Sequence, residues 1–234
     1  MKRSTFLYAS GALAAGATRA QAQTVPGGTH LVERFADFDE DALQTAVNKP
    51  ADVRQLWEAV SFHPAVLGNI KNSLNGLRFG FGYMPERIAM VFTPHGPSGA
   101  LTYSDAIWQK YALARALKLN DAAGAPLSGN TFIGEVRGTD ADNPDDTGGF
   151  FQQTSIAALQ RRGVVFLTCH TSVEEQARVL VNGGFAPAGA AASDVAADIL
   201  QNLIPGAIVV PSMVATIAVL QQRYGYSYIT PTYA

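Results

Sequence analysis

The chain has 234 residues, 47% of them hydrophobic, with 17 basic against 19 acidic side chains and a single cysteine. It can bury a real core as one large domain or two small ones, and its slightly negative balance excludes nucleic acid or an anionic membrane surface as the main partner. One cysteine also excludes an internal disulfide, so packing alone must hold the fold.

The N-terminus carries Lys2-Arg3, a weakly apolar segment from Phe6 to Ala17, and then Ala20-Gln21-Ala22. That is the charged, apolar and small-residue order of an export signal, with cleavage expected after Ala22. A twin-arginine-like or general secretion route would deliver the protein to the periplasm or beyond. The apolar part falls short of the ~20 residues that span a bilayer, so no membrane insertion is expected after cleavage. Loss of residues 1–22 removes Lys2, Arg3 and Arg19, leaving 14 basic and 19 acidic side chains and a net charge of −5.

Residues 23–50 read as an N-terminal extension with a short helix over 39–47, for which Asp39 is the candidate cap. A strand is expected over 52–60, followed by a helix over 63–77 in which Val66, Leu67, Ile70, Leu74 and Leu77 share one face. "RIAMVF" (87–92) is a buried strand between Pro85 and Pro94, and residues 104–117 form a helix that Ser104 can cap. Residues 138–149, rich in Asp and Gly, form a solvated connector. Pro144 stands where a calcium loop would need a ligand.

A helix over 149–163 closes at Gly163, and "VVFLTC" (164–169) is the third strand. Thr171 and Glu174 have the spacing of a capping box for a helix over 171–181. A helix over 194–204, a strand over 207–211, a helix over 212–224 and a strand over 226–229 complete the chain. Strands and helices alternate, and the strands are continuously apolar. The fold class is therefore α/β: residues 51–234 form a single doubly wound domain of about five mostly parallel strands with helices on both faces.

Ligands of such sheets gather outside the carboxyl ends of the strands. His63 follows the first strand, His95 the second, and Cys169-His170 the third, so three of the four histidines and the sole thiol fall at one edge. Cys169 sits just before a helix start, where unpaired N–H groups and the helix dipole favour negative charge. Burial would make it a small core residue instead. Asn69, on the first helix of the domain, either lines the same pocket or bonds the next loop. Gly96, within "HGPSG", can offer a backbone pocket beside the thiol but has no P-loop lysine. Ser212 follows Pro211 and is chiefly a helix cap, with no nucleophile-elbow context. Tyr228 is a strand residue that can face an interface, and His30 is a surface residue of the extension. No motif requires a cofactor.

"GVVFLTCHTS", followed by "LIPGAIVVPSMVATIAVLQQRYGYSYITP", closely resembles the ending of DsrE/DsrF-like proteins, and "LGNIKNSLNGL" and "VFTPHGPS" resemble that family's first helix and second strand-loop. The resemblance runs from about Asp52 to Pro231, with gaps through 118–148 and 183–193. It implies a parallel α/β domain that assembles into homo-oligomers, with the cysteine on the third strand-helix loop. In the sulfur-oxidation members that position carries sulfur as a persulfide and passes it between partner proteins. By that match Cys169 is the carrier, and a sulfur donor or acceptor protein is the expected partner.

Three functions fit these residues. In the first, Cys169 attacks a sulfane-sulfur donor, His170 or His95 moves the proton, and His63, Asn69, Gly96 and Ser212 line the substrate side. In the second, Cys169 binds a metal or small ligand with His63, His95 or His170. In the third, the thiol is structural and the protein is a non-enzymatic oligomeric module.

Overall fold

Continuous apolar runs are what a strand needs when helices cover both faces of its sheet. "IAMVFTP" forms β2 (Ile88–Pro94), buried at every position, and "VVFLTC" forms β3 (Val164–Cys169), buried at all but Val165. With β1 (Val53–Ala59), β4 (Ile208–Val210) and β5 (Ser227–Ile229) they make a sheet of order β4-β3-β2-β1-β5 in which every pairing is parallel. The domain is thus α/β and doubly wound, with the strand order reversing between β1 and β5. These features come from a computed structural model that describes residues 32–121 and 123–232. The expected export signal (1–22) and His30 lie outside the described residues.

Alternate strand residues divide the core between the two faces. Met90, Phe92 and Phe166 pack in one cluster with Leu67 and Ile70 of α2 (Ala65–Asn75) and Leu159 of α5 (Ile156–Arg161). Phe92 and Phe166 meet edge to face at 5.4 Å. Ala89, Val91, Leu167 and Cys169 join the opposite cluster, with α1 (Glu40–Val47) and α8 (Met213–Tyr224). A third cluster unites α3 (Asp105–Lys110), α6 (His170–Asn182) and α7 (Ala192–Gln201) through Trp108, Leu180 and Ile199.

Asp39 caps α1 as expected, its Oδ1 accepting from the Ala42 N–H at 2.9 Å. Leu43 and Val47 bring this part of the extension into the same core as the sheet. Ser104 likewise caps α3, accepting from the Ile107 N–H at 3.4 Å. The single helix expected over 104–117 is however two pieces, α3 and α4 (Leu113–Ala116), split at Ala112, which has φ 46° and ψ 46°. The left-handed turn lets Tyr111 and Leu113, two positions apart, both enter the third cluster.

The helix expected over 149–163 is also divided. Phe150–Gln152 makes a single 3₁₀ turn, and α5 begins only after Ser155, whose hydroxyl accepts from the Ala158 N–H at 3.3 Å. Gln153 explains the break: its buried side chain turns to the Arg137 backbone, accepting that N–H at 2.8 Å. In both places a tertiary contact outweighs helical spacing. Among the described residues, no helix is long and apolar enough to cross a membrane.

An alanine held in the left-handed region costs roughly 1 kcal/mol that glycine does not. Ala112→Gly is accordingly expected to raise unfolding stability by about 0.5–1 kcal/mol in urea titration. A loss of 1 kcal/mol or more would mean that residue 112 continues the helix.

Candidate functional site

Because all five strands run the same way, their carboxyl ends share one edge, together with the starts of the helices that follow β1, β2, β3 and β4. The first turn of a helix leaves N–H groups without intrahelical partners. At the end of β3 the partner is sulfur. Cys169 is itself the N-cap of α6, and its Sγ accepts the Ser172 N–H at 3.4 Å. The same Sγ accepts the Met213 N–H, the first of α8, at 3.2 Å. One thiol therefore caps two helices, and two helix dipoles direct their positive ends at one sulfur atom.

This corrects two expected caps. Thr171 is not the N-cap of α6, which starts one residue earlier, at His170. The Thr171 hydroxyl and N–H both turn to the Pro211 carbonyl, at 3.0 and 3.3 Å. Ser212 occupies the N-cap position of α8, but its side chain makes no capping bond. The sulfur of Cys169 meets the N–H of Met213, the first residue of α8, instead.

A hydrogen-bonded network connects the sulfur to the loop after β2. Ser172 Oγ accepts the Gly96 N–H at 3.0 Å, and Gln176, one turn further along α6, donates from Nε2 to the Gly96 carbonyl at 2.5 Å. The Tyr103 hydroxyl donates to Gln176 Oε1 at 2.7 Å. Burial pushes the Tyr103 phenol far up, and proximity to Cys169 pushes it in the same direction. Gly96 has φ 54°, a left-handed conformation suited to glycine, and this allows its N–H and carbonyl to reach two residues of one helix.

His95, immediately before Gly96, is held from the other side. Its Nε2 bonds Glu58 Oε1 at 2.9 Å, and the Tyr228 hydroxyl donates to the other oxygen, Oε2. The His95 and Glu58 side chains are only 16% and 14% exposed, so the pair is shielded more than an ordinary surface contact. The Glu58 carboxylate, with burial second, raises the Tyr228 phenol above its usual range. Glu58 is the penultimate residue of β1 and Tyr228 belongs to β5, so the carboxylate bridges the two strands between which the sheet order reverses. A carboxylate that fixes one ring nitrogen of a histidine also sets its orientation.

The remaining candidates take different places. His170 is the first residue of α6, buried, with Nε2 4.0 Å from Glu174 Oε1. His63 is exposed in the loop before α2, and Asn69 is half-buried on α2. The network that reaches Cys169 runs through Gly96. Among the described residues, no group of three or more His, Cys, Asp or Glu side chains is placed to hold a metal ion.

Glu58, Ser172 and Gln176 escaped sequence reasoning. Glu58 did carry a signal, as a lone acid at the carboxyl end of an otherwise half-buried strand. Ser172 and Gln176 stand four apart on one helix, where both can meet one loop.

No family model matches the chain, and no curated protein matches it. One solved structure is similar, that of a protein of unknown function, MTH1491, from Methanobacterium thermoautotrophicum. It shares 14% identity with a TM-score of 0.37, over 77% of this chain and all of that one.

Removing the sulfur leaves two N–H groups without their acceptor. Cys169→Ala is expected to lose about 1–3 kcal/mol of unfolding stability, and Cys169→Ser less, since its hydroxyl can still accept. Equal stability of wild type and Cys169→Ala in urea titration would show that the double cap contributes nothing.

Proposed function

We propose that this protein is an exported, DsrE-like carrier of sulfane sulfur, in which Cys169 takes sulfur from a donor and hands it on. The observation that carries this reading is the pair of backbone N–H groups, one from each of two helix starts, that meet at Cys169 Sγ. Such donors suit a sulfur atom that bears negative charge, and the thiolate is the attacking species in thiol chemistry. His95, oriented by Glu58 at the same edge, is the group proposed to take and return the proton.

In the transfer, the Cys169 thiolate attacks the outer sulfur of a donor persulfide. A new S–S bond forms at Cys169, the donor S–S bond breaks, and the donor leaves as a thiolate that takes up the proton Cys169 released. Oxidation states balance, so no external oxidant is required. The reverse step passes the sulfur to an acceptor thiol. Work as a homo-oligomer with a protein donor or acceptor belongs to the same proposal. Phe79, Phe81 and Met84, all exposed within one short stretch, support a protein contact.

Burial favours a second reading. Cys169 is 4% exposed and belongs to the core cluster beneath α8. On that reading the sulfur only caps the two helices, and the protein is a non-enzymatic module.

Incubation of the folded protein with inorganic polysulfide, followed by intact-mass analysis, separates the two. The carrier reading expects a gain of whole sulfur atoms on wild type and none on Cys169→Ser. It also expects uptake by the folded protein slowed by about 10²-fold in His95→Ala. No gain on folded wild type would leave the capping role alone.

A further inference from the structure

The opposite, amino-terminal edge of the sheet carries a feature that thiol chemistry does not use. A cleft of about 420 Å³ opens there, bounded by the end of α2, the start of β2 and the end of α5. Lys49, Arg78, Arg161 and Arg162 line it, against the acids Glu86 and Asp140. Among the described residues, none of these six side chains takes part in an ion pair. In a chain with more acidic than basic residues, four cations around one cleft are not a by-product of general basicity.

Two of the cations, Arg162 and Arg78, are also held in place. Arg162 donates to Asn75 Oδ1 at 2.6 Å and to the Phe151 carbonyl at 3.4 Å, both neutral acceptors. Its guanidinium lies 5.5 Å from the centre of the Phe151 ring, and that of Arg78 lies 4.9 Å from the same ring. Two like charges are thus gathered on one aromatic side chain with no acid between them. Burial, and then the charge of Arg78, push Arg162 down to about 10, and burial also lowers Lys49. Complementing helix C-terminal dipoles accounts for a basic residue in the last turn, as Arg161 is on α5. It does not account for gathering two half-buried guanidinium groups, Arg162 and Arg78, on one ring, where their like charges repel until a counter-charge arrives.

We propose that this cleft is a binding site for a small organic anion bearing two or more phosphate or carboxylate groups, held by Lys49, Arg78, Arg161 and Arg162. Guanidinium groups match such oxygens in pairs. Leu74, Ile88 and Phe150 offer an apolar wall for a compact organic body.

Inorganic pyrophosphate and citrate serve as probes, titrated calorimetrically into the full chain at low, fixed ionic strength. Binding of at least one, with a Kd of about 1 mM or tighter, is expected. Lys49→Gln and Arg161→Gln should each weaken it by about tenfold, since each removes one charged contact. Lys110→Gln, outside the cleft and paired with Asp198, should leave it unchanged. Arg78 and Arg162 are left intact because both pack on Phe151. No binding of either probe up to about 10 mM would overturn the proposal. Equal weakening in Lys110→Gln would overturn it too, by showing general charge attraction in place of a site.

Discussion

A parallel sheet buried on both faces brings the carboxyl ends of its strands, and the helix starts that follow them, to one edge. Every such start has N–H groups that need an acceptor, and a buried N–H without one is costly. At the end of β3 a single sulfur atom meets that need for both α6 and α8. The start of α6, the start of α8 and the end of β3 meet at this atom, while Met213, Ile217 and Leu220 pack α8 against the sheet.

The same edge gains a polar network from the other strands. Gly96 bends in a left-handed conformation so that its backbone meets Ser172 and Gln176. Glu58 fixes His95 on one side and Tyr228 on the other, which ties β5 to β1 at the point where the sheet order reverses. These bonds rigidify the loop that carries His95, and they do so next to the helix that Cys169 caps. A capped, shielded sulfur beside an oriented imidazole is compatible with chemistry and with stability. What distinguishes them is whether a reagent reaches the sulfur.

Apolar runs bounded by proline or glycine located β2 and β3, and the alternation of strand and helix established the α/β class, since both depend on local pattern. The residues 104–117 and 149–163 misled for the opposite reason. Their apolar spacing is helical, but Ala112 and Gln153 answer to contacts with the rest of the molecule. Cys169, His95 and Gly96 were legible because they follow strands at the ligand-binding edge of a parallel sheet. Glu58 and Tyr228 were not, because what makes them notable is each other's position across β1 and β5, and sequence does not reveal that adjacency. The cap at Thr171 was misplaced because a cysteine sulfur took the role that sequence rules give to a hydroxyl.

The two sheet edges thus have opposite character. The carboxyl edge gathers one thiol, one oriented histidine and backbone donors, and the amino edge gathers four cations around a cleft. The central claim concerns the first edge: that Cys169, though buried, is open to reaction in the folded protein. The most direct measurement is the rate of Cys169 alkylation by iodoacetamide under native conditions, compared with the rate of global unfolding measured on the same sample. The carrier account predicts alkylation much faster than unfolding, through local opening around the sulfur. Alkylation that proceeds no faster than global unfolding would contradict it and leave the sulfur as a cap.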